Sequence, residues 1–142
     1  MAGRKVYICE NANLVAIAVD EHGAQCAPLV PAAAQRTLLA LLAKAGATLL
    51  YHGDFDWPGL NIANFVIRSF GAQAWRFCAR DYVEHAINPL AQRLTGRSTV
   101  ASWDASLAVA MQARGLAIPE EAIAAALLQD LRDDRYQRGT ST

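Results

Sequence analysis

The chain has 142 residues, a length that favours one domain with a real core. Hydrophobic residues make up 54% of it and charged residues only 18%, which argues against disorder. Thirteen basic and thirteen acidic residues leave zero formal charge, so a free-standing, strongly basic DNA binder is excluded, and any action on DNA needs another domain or subunit to attract the phosphates.

No apolar run approaches the ~20 residues a membrane helix needs. The start, "MAGRKVYICE", passes straight into a strand-like run and lacks the basic, apolar and cleavage regions of a signal peptide; a cytoplasmic setting without membrane partners is expected. Cys9, Cys26 and Cys78 are odd in number and form no CxxC pair, so they read as free thiols and not as a zinc site or disulfide framework.

In chain order, "KVYIC" (Lys5 to Cys9) reads as a strand and "NLVAIAVDEHG" (Asn13 to Gly23) as a helix closed by glycine. "CAPLV" (Cys26 to Val30) is a second strand. "PAAAQRTLLALLAKAG" (Pro31 to Gly46) opens with Pro and ends in Lys-Ala-Gly, the expected punctuation of a helix. "TLLYH" (Thr48 to His52) is a third strand, "WPGLNIANFVIRSFG" (Trp57 to Gly71) a third helix and "AWRFC" (Ala74 to Cys78) a fourth strand. Such alternation predicts an α/β fold, a parallel four-stranded sheet flanked by helices. Extra C-terminal helices follow: residues 79–94, broken at Pro89; Trp103 to Gly115, starting at an Asp cap; and Pro119 to Asp134, with two glutamates in its first turn. Residues 5–134 read as a single domain, and 135–142 as a frayed tail.

The chemistry concentrates in "YHGDFDWPG", residues 51–59. Ligands of open parallel sheets bind beyond the carboxyl ends of the strands. Glu10 follows the first strand, and Asp54 and Asp56 follow the third. Residues i and i+2 of an extended segment project to one side, so the two aspartates can face one cation, and Glu10 faces the same spot if strands one and three are neighbours. Three converging carboxylates repel without a cation. A hard divalent ion such as Mg²⁺ takes oxygen ligands and is commonly held by one or two carboxylates plus substrate phosphate. Asp56 also fits a helix cap before Trp57-Pro58, and Asp54 a turn residue. His52 reads either as a general base or as a hydrogen-bonded spacer. Gly53 and Gly59 read as backbone devices for a tight turn. Arg36, Arg68, Arg76 and Arg80 read as surface cations with DNA phosphate contact as the alternative. Asp130, Asp133 and Asp134 read as a solvated helix end, and Trp57, Trp75 and Trp103 as packing residues.

"VYICEN", followed by "YHGDFDWPGLNIAN", resembles the Toprim domain family, the Glu … Asp-x-Asp fold of topoisomerases, primases and related nucleases. The Asp-x-Asp-x-x-Gly segment running into a helix is similar to the topoisomerase VI A-subunit branch. More narrowly it resembles the C-terminal domain of JetD-type proteins, the nuclease subunit of Wadjet plasmid-defence systems. The resemblance covers about Lys5 to Leu131. It implies Glu10, Asp54 and Asp56 as ligands of Mg²⁺ (or Mn²⁺) and metal-dependent DNA cleavage, in which His52 or a metal-bound water would assist. Its implied partners are DNA and other domains or subunits of a defence complex that includes an SMC-type ATPase. Two features depart from the group. "PLV" runs directly into "PAAAQR" where members carry a short Gly-containing loop, and no separate winged-helix domain with a nucleophilic tyrosine fits in this chain. Two rivals remain. An Asp-x-Asp-x-Thr phosphatase places its pair after the first strand, whereas here the pair follows the third. A degenerate Toprim module would serve assembly or DNA positioning.

Overall fold

The computed structural model describes residues 5–9, 26–28 and 33–140. The helix expected over 13–23, the residues Glu10, Asn11 and Asn13, and the junction after Pro28 lie outside the described residues. Strands β1 (Lys5–Cys9), β2 (Cys26–Pro28) and β3 (Thr48–His52) form the body of a parallel sheet. A two-residue strand β4 (Gln73–Ala74) pairs with β3, also in parallel, giving the order β2-β1-β3-β4. Helices α1 (Ala33–Lys44) and α2 (Trp57–Phe70) fill the connections between β2 and β3 and between β3 and β4. The fold class is thus mixed α/β with a parallel sheet. β1 and β3 are neighbours along their full length, with Cys9 in register with His52.

The local sequence explains α2 at both ends. Asp56 is its N-cap, with its side chain accepting from the Gly59 N–H. Pro58 stands in the first turn, where its missing N–H costs nothing. Gly71 closes the helix in the left-handed region (φ 68°) and returns its N–H to the Ile67 carbonyl. Trp57, Leu60, Ala63 and Val66 recur every three residues, and all are buried against the sheet.

The fourth strand is shorter than the sequence suggests: it is Gln73–Ala74, not Ala74 to Cys78. The Trp75 N–H adds one more bond, to the Tyr51 carbonyl at 2.7 Å. Arg76 then takes a positive φ of 46° and turns the chain off the sheet, sending Phe77 into the core. Helix α3 (Ala79–His85) stops before Pro89, as the bias of a pre-proline residue away from helix favours. The Asn88 side chain instead accepts from the Leu90 N–H in a local turn. Strand β5 (Gln92–Arg93) then pairs with β6 (Leu116–Ala117) in a two-residue antiparallel ladder that the sequence did not announce. Helix α4 (Ala105–Arg114) starts at Asp104, whose side chain accepts from the Ser106 N–H. The segment after Pro119 opens as a 3₁₀ turn (Glu120–Ile123) and continues as α5 (Ala124–Thr140), so helical backbone runs past Asp134.

The core joins the sheet to the later helices through aromatic rings. Phe77 sits 4.8 Å from Phe55, 6.2 Å from Tyr51 and 5.2 Å from Trp103 between ring centroids, the last pair stacked. Phe55 also meets Tyr82 of α3. Pairs at such separations add to the area they bury.

Candidate functional site

The site sits where β3 ends and α2 begins. His52, Gly53, Phe55 and Trp57 are buried, while Asp54 and Asp56 are partly exposed. The two aspartates thus share one side and Phe55 takes the other, the alternation expected of an extended segment. Asp56 is extended (φ −146°, ψ 171°), and its Oδ1 lies 2.7 Å from the Gly59 nitrogen.

Gly59 makes this geometry possible. A Cβ at that position would lie 2.1 Å from the Asp54 carbonyl oxygen and 2.9 Å from Asp56 Oδ1. Any side chain therefore collides with the loop that carries both carboxylates. The sequence marked Gly59 as a backbone device, and the close approach is its physical reason.

Asp54 is held from far along the chain. Its Oδ1 accepts the Glu120 N–H at 2.7 Å. Phe55, the next residue, exchanges two backbone hydrogen bonds with Ile118, at 2.9 and 3.1 Å. Burial raises the Asp54 carboxyl above the ordinary range, and the charges of Asp56 and Glu121 push the same way against the Glu120 N–H. Partial desolvation beside like charges is the setting a cation would relieve.

His52 has no exposed surface. Its Nδ1 donates to the Trp75 carbonyl at 2.9 Å, and its ring lies among Phe55, Trp75 and Phe77. Burial lowers its pKa from 6.5 to about 4, outweighing the raising effect of the backbone carbonyls. Nε2 has no hydrogen-bond partner among the described residues. In this arrangement His52 packs among the rings and tethers the end of β3 to the Trp75 backbone.

A second tether runs to α5. Asp130 accepts from Trp75 Nε1 at 2.8 Å and from Arg76 Nε and Nη2 at 2.5 and 2.8 Å. Burial pulls the Asp130 carboxyl upward, but these bonds outweigh it and hold it below its usual range. Asp130 is thus not part of a solvated helix end, and Arg76 is committed within the chain. Arg80 approaches Glu84 at 3.7 Å in an exposed i,i+4 pair, and Arg36 lies over the Phe65 ring. Trp103 donates to the Phe77 carbonyl at 2.6 Å, and Trp57 and Trp75 are buried, which makes all three packing residues. Tyr82 is buried and donates to the Leu116 carbonyl; Tyr7 and Tyr51 are buried in the sheet.

The sequence thus found the two aspartates but not the segment that holds them. Glu120 carried only the signal of a first-turn acid after Pro119. It is buried, and its N–H contact reaches Asp54, 66 residues away.

A family model described as "protein of unknown function C-terminus (DUF2399)" matches residues 1–131. The chain belongs to the DUF2399 family. No curated protein and no solved structure matches it. The DUF2399 match spans both halves of the site, from β1 through the Asp54–Asp56 loop to the Ile118–Asp130 segment that braces it.

Among the described residues no three His, Cys, Asp or Glu side chains group as a metal site. The described donors are two carboxylates, and Glu10 adjoins Cys9, the residue in register with His52. Oxygen-only acidic donors suit a hard cation better than a soft one. In both aspartates Oδ1 accepts a backbone N–H. A carboxylate accepts at about four lone-pair positions, so such a bond fixes its direction without exhausting it.

Proposed function

We propose that this DUF2399 chain is a Toprim-like, metal-dependent DNA-cleaving domain that works with other subunits, an SMC-type ATPase among them, in defence against plasmids. One observation carries the reading: Asp54 and Asp56 share the accessible side of a loop at the carboxyl end of β3, beside β1, where a parallel sheet binds ligands. In this reading Asp54, Asp56 and Glu10 hold Mg²⁺ or Mn²⁺. The cation, when bound, supplies polarisation of a phosphoryl oxygen and activation of water. Gly59 lets the loop close down, Phe55 excludes water from beneath it, and the braced backbone keeps the carboxylates on one side. The neutral chain relies on its partners for most of the phosphate attraction.

A second reading rests on the hydrogen bonds themselves. Asp56 caps α2 and Asp54 caps the 3₁₀ turn, so both acids also have structural tasks. This is what a degenerate module kept for assembly or DNA positioning would retain.

Thermal melting with and without Mn²⁺ separates the two. A ligand that binds only the folded state raises Tm by mass action. The metal reading expects a rise in the wild type that is absent in the Asp54→Asn, Asp56→Asn double variant, followed by loss of plasmid cleavage when Asp54→Asn is placed in the full complex. Equal behaviour of both proteins toward Mn²⁺ leaves the degenerate module.

A further inference from the structure

We propose that the turn at Pro119–Glu120 aims the Asp54 carboxylate, with Glu120 as a positioning residue acting through its backbone N–H; the inference rests on the metal-site reading above. Pro119 stands at the N-cap of the 3₁₀ turn and supplies no side-chain cap. The turn receives one from Asp54 instead, at 2.7 Å and across 66 residues. A backbone N–H to a carboxylate is a charge-assisted bond, stronger and more directional than a neutral one.

The donor is itself held firmly. Ile118, two residues before Glu120, is bonded in both directions to Phe55, the residue between the two aspartates. Ile118, Ile123 and Leu127 are core residues, and the Glu120 side chain has no exposed surface. The turn therefore cannot slide without opening the core. Asp56 needs no such help, because Gly59 of its own helix orients it. The two carboxylates are thus held by separate parts of the chain, and docking of the Ile118–Glu120 segment helps fix the relation between them. Groups that hydrogen-bond a ligating carboxylate without touching the metal typically change affinity by about 10- to 100-fold. Glu120 belongs to that kind, and its side chain is not offered as a ligand.

The test is Mn²⁺ binding by calorimetry to the full chain and two variants. Glu120→Pro removes the amide hydrogen at a position where a turn tolerates proline. Glu120→Gln keeps the hydrogen and the side-chain shape. The expected result is binding to wild type and Glu120→Gln alike, with Glu120→Pro weaker by roughly 10- to 100-fold. Equal affinity of Glu120→Pro and wild type overturns the positioning role while the metal reading stands. No binding to the wild type overturns the metal reading and this inference with it. If Glu120→Pro does not fold, the wild type decides. On Mg²⁺ titration the amide resonances of Glu120 and Gly59 should move together. A moving Gly59 amide beside an unmoved Glu120 amide overturns the inference.

Discussion

The two ends of the Asp54–Asp56 loop are held by opposite means. Asp56 is fixed by its own helix, three residues away, through the Gly59 N–H. Asp54 is fixed by a turn 66 residues later in the chain, and Phe55 between them by Ile118. The local half forms wherever α2 forms. The distant half forms only when the C-terminal segment has packed, since its donors are presented by Ile118 and Glu120 and locked by a shared core. A site assembled from both kinds of restraint has its chemistry tied to completion of the fold.

The local half breaks most readily at Gly59. An alanine there puts a Cβ 2.1 Å from the Asp54 carbonyl. That contact is with backbone, so no rotamer change relieves it. Gly59→Ala should cost about 3 kcal/mol or more, at or above the upper end of ordinary overpacking, in urea unfolding monitored by tryptophan fluorescence. Gly71→Ala is the control. Gly71 has φ 68° with nothing near its missing side chain, so only backbone strain of about 1 kcal/mol applies. Equal costs at the two glycines would mean that the loop does not press on α2.

The same division explains what was legible in the sequence. β3 was expected at Thr48 to His52 and is found there, and α2 was placed to within one residue. Pro58, Gly71 and the run of Leu60, Ala63 and Val66 are local signals, and local physics decides them. The Asp-x-Asp alternation was legible for the same reason. The fourth strand was misjudged because "AWRFC" has strand composition throughout. What ends the strand is the left-handed backbone at Arg76, beside a Trp75 and an Arg76 side chain drawn to Asp130 on α5. Asp130 looked like a solvated acid for the same reason: nothing within ten residues of it names its partners. The β5–β6 ladder is two residues long, too short to impose a period on the sequence.

His52 lies at the junction of the two halves, and acid should find it. Its folded pKa of about 4 lies below its ordinary 6.5 because burial disfavours the charged ring. Below pH 6.5 the unfolded chain takes up a proton that the folded chain refuses until about pH 4. Stability is therefore full above 6.5, falls between 6.5 and 4, and levels off below that. The whole difference amounts to about 3 kcal/mol. Asp54 acts in the opposite sense, because burial raises its carboxyl, so acidification favours the fold there and offsets part of the loss. Unfolding free energies measured in metal-free buffer from pH 7 to pH 4 should fall less steeply in His52→Asn than in the wild type. Parallel pH profiles would mean that the ring is hydrated and not sealed between the strand end and the C-terminal tether.

The smallest effect separates a cap from a ligand. Asn and Asp are near equals at an N-cap, whereas Ala costs about 1 kcal/mol. Asp56→Asn should therefore unfold at the same urea concentration as the wild type in the absence of metal, and Asp56→Ala should unfold earlier. A cation distinguishes the pair differently, because an amide lacks the negative charge a hard divalent ion selects. Both variants should then lose the rise in Tm that Mn²⁺ gives the wild type. If Asp56→Asn keeps that rise, Asp56 is a cap alone and the cation must be held by Asp54 and donors other than its neighbour. If it loses the rise while keeping its metal-free stability, one carboxylate starts the helix and holds the ion at the same time. The need for a negative charge at that cap then comes from the ion, since the helix alone is equally well served by the amide.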